Sequence, residues 1–290
     1  MSLAYGALLD ALRGAAWPAR RPARGALSGT HRSALRGTSP EFTEYRPYRQ
    51  GDDPRRIDWR LLARTDRAYL RLTSDRSTLG TVIAVDASAS MAFPGAARGK
   101  WEQACRLAVG LAAVAHGAGD PVGLVVAAAD EPRVVPPRTR RGVVDEIARV
   151  LDGCVPNGTA PLAAALAPVP VRARLAIVSD FLGDADALLA AARERLRAGA
   201  DVCAVHVVAR DELEPPGDVV LAVDPEDPRI ARALGPETRA AYAQRFAAWR
   251  GRLAGGWRAE GASFTEVVDD EPAAHAVRRV IAPVGAERGA

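Results

Sequence analysis

Asp86, Ser88 and Ser90 stand at every second position directly after the apolar run Val82 to Val85. That spacing puts one carboxylate and two hydroxyls on the same side of whatever loop they occupy. Such oxygens are the hard donors preferred by Mg²⁺, Mn²⁺ and Ca²⁺, and open α/β sheets hold their ligands at the carboxyl ends of parallel strands. Asp and Ser are also ordinary capping residues in a strand-to-helix turn, so the triplet alone leaves both readings open. Two further sites fall where a shared ion would need them. Asn157-Gly158-Thr159 precedes a predicted helix, and Asp180 ends an apolar strand as Asp86 ends the first. Neighbouring strands lie about 5 Å apart, so loops from their carboxyl ends can meet on a single ion.

The elements that must position these groups alternate along the chain. Strands are predicted over Thr81 to Asp86, Pro121 to Ala128, Arg174 to Asp180 and Val202 to Val208, with an edge strand at Arg133 to Val135. Between them, helical spacing runs over Lys100 to His116, through Val144, Ile147 and Leu151, over Pro161 to Ala167, and from Asp184 to Ala198 before Gly199. Repeated strand-then-helix units with continuous apolar strands predict a Rossmann-like, doubly wound, mostly parallel sheet covered on both faces. Downstream, Val219 to Val223 is a strand candidate. Pro236 opens a helix with Tyr242, Phe246, Trp249 and Leu253 at helical spacing, expected mainly as core, which Gly255-Gly256 could end or bend. Phe264 to Val268 predicts an edge strand, and Pro272 opens a last helix to Ile281.

Composition narrows the classes. A chain of 290 residues with 48% apolar content and mixed charge reads as globular. Residues 1–80 hold fifteen arginines against eight acids, a balance of +7, which leaves −3 for the rest of a chain of net charge +4. A basic front could attract nucleic acid, but no recognisable module accompanies it and no specific nucleic acid is expected. Cys105, Cys154 and Cys203 lack disulfide or metal spacing and read as buried small hydrophobes of a reducing cytoplasm. No apolar run is long enough for an integral membrane segment. Neither a dinucleotide-binding glycine fingerprint nor a phosphate-binding P-loop is present. Lys100 is the only lysine, and no role follows for it from spacing.

The pattern D-x-S-x-S on a first loop, Thr on a second and Asp on a third resembles the metal-ion-dependent adhesion site of von Willebrand factor A-type (vWA) domains. Asp86, Ser88, Ser90, Thr159 and Asp180 match it in order and without departure. The resemblance implies a Rossmann-like sheet with one antiparallel edge strand. It also implies a site for Mg²⁺, or Mn²⁺ or Ca²⁺, whose bound water a partner's Asp or Glu can displace. On that reading Ser88, Ser90 and Thr159 are direct ligands, with Asp86 and Asp180 binding directly or through water. Upstream, Tyr45-Arg46-Pro47-Tyr48, Gly51-Asp52-Asp53, Arg55, Ile57-Asp58-Trp59 and Ala63-Arg64 resemble a bacterial domain-of-unknown-function family. Its members carry an A-type domain and are often encoded beside MoxR-type AAA+ ATPases. Many bear two N-terminal transmembrane helices, which are not expected here.

The resulting expectation is a basic, loosely ordered arm over 1–40, a family-specific segment over 41–80, a vWA-like domain over 81–225 and a helix-strand-helix extension over 226–290. The implied function is a cytoplasmic, non-catalytic, divalent-metal-dependent protein-interaction module. Its partners would be a MoxR-type ATPase and an acidic side chain of a client, with Tyr45 to Arg64 as a platform beside the A-type domain. Two other classes compete. A Mg²⁺-dependent phosphoryl-transfer hydrolase also needs an Asp at the end of the first strand, but its second acid two residues on is Ser88 here, and Asp52 and Asp53 are more readily turn residues or salt-bridge partners of Arg55 than acid/base groups. Nucleic-acid binding through the basic N-terminal region is the other.

Overall fold

The computed structural model describes residues 5–19, 28–32, 42–48, 57–73, 76–77, 80–94, 99–217, 221–223 and 229–282. Two compact units result, one of residues 21–79 and one of 1–20 with 80–290.

In the smaller unit, β1 (Ser28–Arg32) pairs antiparallel with β4 (Arg76–Ser77), and β2 (Phe42–Pro47) pairs antiparallel with β3 (Tyr69–Thr73). The α2 helix (Trp59–Thr65) lies between them in sequence, and the Ile57-Asp58-Trp59 motif explains how it starts. Ile57 bridges to Leu70 in the neighbouring strand. The Asp58 carboxylate then accepts the backbone N–H groups of Arg60 and Leu61, each at 3.0 Å, satisfying two of the donors that a helix start leaves open. Trp59, which follows the cap, is 61% exposed. The Gly51-Asp52-Asp53-Pro54 turn and Arg55 lie outside the described residues.

The larger unit begins with α1 (Gly6–Ala11) and then contains β5 (Thr81–Asp86), α3 (Gly99–Gly117), β6 (Val122–Ala127), β7 (Arg133–Arg138), α4 (Val143–Asp152), α5 (Leu162–Ala165), β8 (Arg174–Ser179), α6 (Ala185–Arg197), β9 (Val202–Val208) and α7 (Arg210–Leu213). It ends with β10 (Leu221–Val223), β11 (Ala231–Ala233), α8 (Pro236–Ala259), β12 (Ser263–Val268) and α9 (Ala273–Ile281). Six strands form one sheet in the order β12-β9-β8-β5-β6-β7. Every neighbouring pair is parallel except β6 with the edge strand β7. This is the doubly wound α/β architecture with a single antiparallel edge that the strand and helix periodicities predict.

Every residue of β5, β6, β8 and β9 is buried, as continuous apolar strands covered on both faces must be. One face carries a core from α1, α3, α4 and α9, with Leu107, Leu111, Ile147 and Val277 among its buried side chains. The other is covered by α5, α6 and Trp257 of α8.

Three expectations meet a different outcome in detail. Leu221–Val223 does form a strand, but among the described residues it pairs only with β11, in a separate antiparallel hairpin, with all six residues exposed. The α8 helix continues through Gly255-Gly256 to Ala259, where Trp257, fully buried beneath it, holds that turn against the sheet. Its Tyr242, Phe246 and Trp249 stack on one another at 5.4 and 5.6 Å between ring centres and are half-buried, Trp249 also meeting His206 of β9 edge-on.

Near the N-terminus, Tyr5, Leu12 and Trp17 are buried in the core of the larger unit, although the local sequence predicts an arm. Apolar contact and one cation explain the docking. The Arg174 guanidinium stacks 4.4 Å over the Trp17 ring and donates to the Trp17 carbonyl at 3.0 Å. Among the described residues, no helix is long and apolar enough to cross a membrane.

Candidate metal centre

β5 lies between β6 and β8, and the chain crosses from one side of it to the other after β7. The sheet therefore reverses winding at the carboxyl ends of β5 and β8, which is where open α/β sheets leave a crevice. Asp86 ends β5, and Asp180 follows directly on β8.

Asp86 is buried and its carboxylate is held at both oxygens. The Ser88 backbone N–H donates to Oδ1 at 2.9 Å, and the Ser179 hydroxyl donates to Oδ2 at 2.6 Å. Burial, followed by the negative charge of Asp180, pushes the Asp86 carboxyl above its ordinary range, while hydrogen bonds from Ser179 and Ser88 pull the other way. The Ser88 and Ser90 hydroxyls, both buried, face each other at 3.0 Å. A short 3₁₀ turn, Ala89–Ala92, carries Ser90 back toward Ser88.

Asp180 is held as firmly. Its Oδ1 accepts the Leu182 backbone N–H at 3.2 Å, and its Oδ2 accepts the Lys100 ammonium at 2.8 Å. The backbone here is strained. Phe181 has φ +55°, a left-handed conformation costly for a side chain of that size. Its N–H donates to the Ser179 hydroxyl at 2.9 Å, and its ring packs edge-on against Trp257 and His206 at 5.4 and 5.8 Å. Aromatic packing thus fixes the bend that follows Asp180.

The third loop approaches through its backbone. The Asn157 N–H donates to the Ala87 carbonyl at 3.0 Å, and Ala89 N–H donates to the Gly158 carbonyl at 2.8 Å. Gly158 makes this possible: its φ is +54°, and a Cβ there would come within 3.0 Å of the Ala129 methyl. Of the five candidate ligands, Asp86, Ser88, Ser90 and Asp180 are buried in one cluster. Thr159 is exposed, on a loop clasped to the residues on either side of Ser88.

Three further residues belong to this end of the sheet and carry no spacing signature in the sequence. Ser179 bridges Asp86 to the Asp180 turn. Lys100, at the start of α3, is fully buried and reaches Glu212 of α7 at 2.7 Å as well as Asp180. Burial opposes its charge, but Asp180 and Glu212 outweigh that and hold the Lys100 pKa above its ordinary value. Glu212 also accepts the Ala209 N–H at 2.8 Å. The one available signal was that a chain whose other cations are all arginine keeps a lysine at position 100.

The donor set is entirely oxygen, the chemistry of Mg²⁺, Mn²⁺ or Ca²⁺. Asp86, Asp180 and Glu212 bring three carboxylates against the single ammonium of Lys100. Fully ionised, the cluster has a formal charge of −2, which one divalent cation would neutralise. On these grounds the residues present fit such an ion.

The profile described as "Protein of unknown function DUF58" matches residues 44–251. Uncharacterized proteins of Mycobacterium bovis and Mycobacterium tuberculosis are 31% identical over 278 residues, covering 91% of this chain and 85% of theirs. Among solved structures the chain is similar to BatB from Bacteroides thetaiotaomicron, with 19% identity, a TM-score of 0.42, and 69% of this chain and 96% of that one covered. It is also similar to the SpRpn10 VWA domain, with 10% identity, a TM-score of 0.38, and 69% and 94% covered.

Proposed function

We infer that this chain, which belongs to the DUF58 family, is a non-catalytic protein-interaction module that binds partners through a divalent cation, Mg²⁺ before Mn²⁺ or Ca²⁺. The observation that carries the reading is the buried oxygen cluster of Asp86, Ser88, Ser90 and Asp180 at the switch point of the sheet, with more carboxylate than ammonium charge around it.

In this reading Ser88, Ser90 and Thr159 hold the ion, with Asp86 and Asp180 beside them binding it directly or through water. Bound there, the ion supplies a Lewis-acidic position that a partner's carboxylate can take in place of water. Asp86 and Asp180 orient the loops around the ion through the Ser88 and Leu182 N–H groups. Lys100 keeps Asp180 from swinging outward and offsets part of the negative charge.

The partner class follows from the resemblance of the Tyr45 to Arg64 segment to proteins encoded beside MoxR-type AAA+ ATPases. We assign such an ATPase as the partner, acting in assembly or maturation of a client in the cytoplasm. The family segment serves as an added platform, a role that the exposed Trp59 suits.

The test uses the full chain and a purified MoxR-type ATPase. Wild type is expected to retain the ATPase in Mg²⁺ and to release it in EDTA; Asp86→Ala is expected not to retain it. Calorimetric titration with Mg²⁺ that gives no heat with the wild type would remove the metal from the reading. Phosphatase turnover lost in Asp86→Ala would replace the reading with an enzyme.

A further inference from the structure

Next to the cluster lies a cavity of about 610 Å³ that shares Ser90 and Lys100 with it. Phe93, Leu182, Pro216, Leu221, Val223 and Tyr242 are among the residues that line it. The wall combines the turn after β5, the start of α3, the turn after β8, α7 with the two prolines after it, strand β10, Leu234 just before α8 and Tyr242 within it. Leu221 and Val223 of the hairpin are 52% and 50% exposed and Leu182 of the turn after β8 is 48% exposed, a concentration of open aliphatic surface beside a hairpin that pairs with nothing else among the described residues.

The ammonium at the cavity floor is already engaged, and the excess charge there is negative. Lys100 is engaged by Asp180 and Glu212, and the Tyr242 hydroxyl donates to the Glu212 carbonyl at 3.0 Å. An occupant therefore meets apolar walls and few open polar groups, apart from Asp211 at the lining, whose charge disfavours a second acid. A carboxylate held at Ser88 and Ser90 would have its chain neighbour beside this opening.

We propose that the cavity is the specificity pocket of the docking site and receives a bulky apolar side chain, Leu or Phe, adjacent in sequence to the partner's metal-binding Asp or Glu. The proposal rests on the metal-dependent reading above and adds to it which acidic segments are chosen. A cavity of this size admits a large side chain together with the residues next to it, and burying a leucine there gains about tenfold or more in affinity over alanine. The hairpin, absent from the sheet's own hydrogen bonding, is then the element that distinguishes partners.

The experiment measures binding of acetylated hexapeptides Gly-Ser-Asp-Xaa-Ser-Gly, with Xaa as Ala, Leu, Phe or Asp, to the full chain in saturating Mg²⁺ and in EDTA. The Leu and Phe peptides are expected to bind about tenfold or more tightly than the Ala peptide, and the Asp peptide no better than Ala. Val223→Trp narrows the pocket from the strand face that carries Leu221, and Leu221→Lys puts a charge at its rim. Both are expected to bring the Leu peptide down to the Ala level while keeping Mg²⁺-dependent binding of the Ala peptide. Mg²⁺-dependent binding with equal affinity for Ala and Leu overturns the pocket and spares the metal site. Absence of Mg²⁺-dependent binding to any peptide overturns both. A wild-type dimer in sedimentation that Val223→Trp dissociates overturns the proposal in favour of a second copy of this chain as the occupant.

Discussion

Strand β8 has a buried charged residue at each end, and the two ends are built differently. At its start Arg174 is fully buried, with Asp120 and Asp201 at 3.7 and 3.6 Å and Trp17 stacked over the guanidinium. Past its other end Asp180 meets Lys100 at 2.8 Å, beside Asp86 and a cavity that opens outward. The first end is sealed by the chain's own N-terminal segment. At the second, negative charge exceeds positive, the backbone at Phe181 is strained, and apolar side chains stand exposed nearby. Buried charge that is enclosed by its own chain holds the fold together; buried charge left beside an opening is arranged for something that arrives.

Removing the cation at the sealed end separates the two roles most sharply. Arg174→Met leaves Asp120 and Asp201 buried without their guanidinium and takes away the cover of Trp17. A loss of about 4–5 kcal/mol is expected, the upper part of the range for breaking a buried ion pair. Urea denaturation measures it, and added Mg²⁺ is expected to restore nothing. A loss under about 1 kcal/mol would show that burial alone holds Trp17 in place.

Lys100→Met makes the same kind of cut at the open end. Glu212 keeps 14% of its side chain exposed and can turn to water, so a smaller loss of about 3 kcal/mol is expected in EDTA. Here Mg²⁺ is expected to return much of it, since a bound divalent ion supplies the missing positive charge; at a concentration a hundredfold above Kd, mass action gives about 2.7 kcal/mol. Equal denaturation midpoints for this variant with and without Mg²⁺ would erase the distinction between the ends.

The sealed and open ends were not equally legible from the residues. Alternating strand and helix periods place β5, β6, β8 and β9 within a residue or two, because fully buried parallel strands leave an apolar run that little else mimics. Asp86, Ser88, Ser90 and Asp180 could be found because a fixed local spacing brings each to a strand's end. Lys100 and Glu212 could not, since 112 residues separate them and only the fold joins them. Trp17 was hidden for a related reason. Its neighbours are Ala, Pro and Arg, and its partner Arg174 is 157 positions away. Val219 to Val223 reads as a strand candidate and no more, because a short apolar segment does not reveal which edge, if any, it joins.

The smallest effect sharpens the comparison from inside the open site. Asp86 is held above its ordinary acidity value of 3.8 by burial and by Asp180, so the folded chain binds its proton more readily than the unfolded chain does. The cost of ionising it is absent below pH 3.8, grows as pH rises through the window up to the raised folded value, and is then constant. Asp86→Asn removes that cost. Its Oδ1 can still accept the Ser88 N–H, and the Ser179 hydroxyl can rotate to accept the new amide. In EDTA at neutral pH the variant is expected to be more stable than wild type by about 1 kcal/mol, with the gap closing as pH falls toward 3.8. Glu266 and Asp270, whose carboxyls are lowered by His206 and Arg210 respectively, lose stabilisation in acid in both proteins and cancel from the difference. The same variant is expected to give no Mg²⁺ heat in calorimetry. An Asn variant less stable than wild type at neutral pH would mean that the Asp86 carboxylate, like the charges around Arg174, serves the fold first.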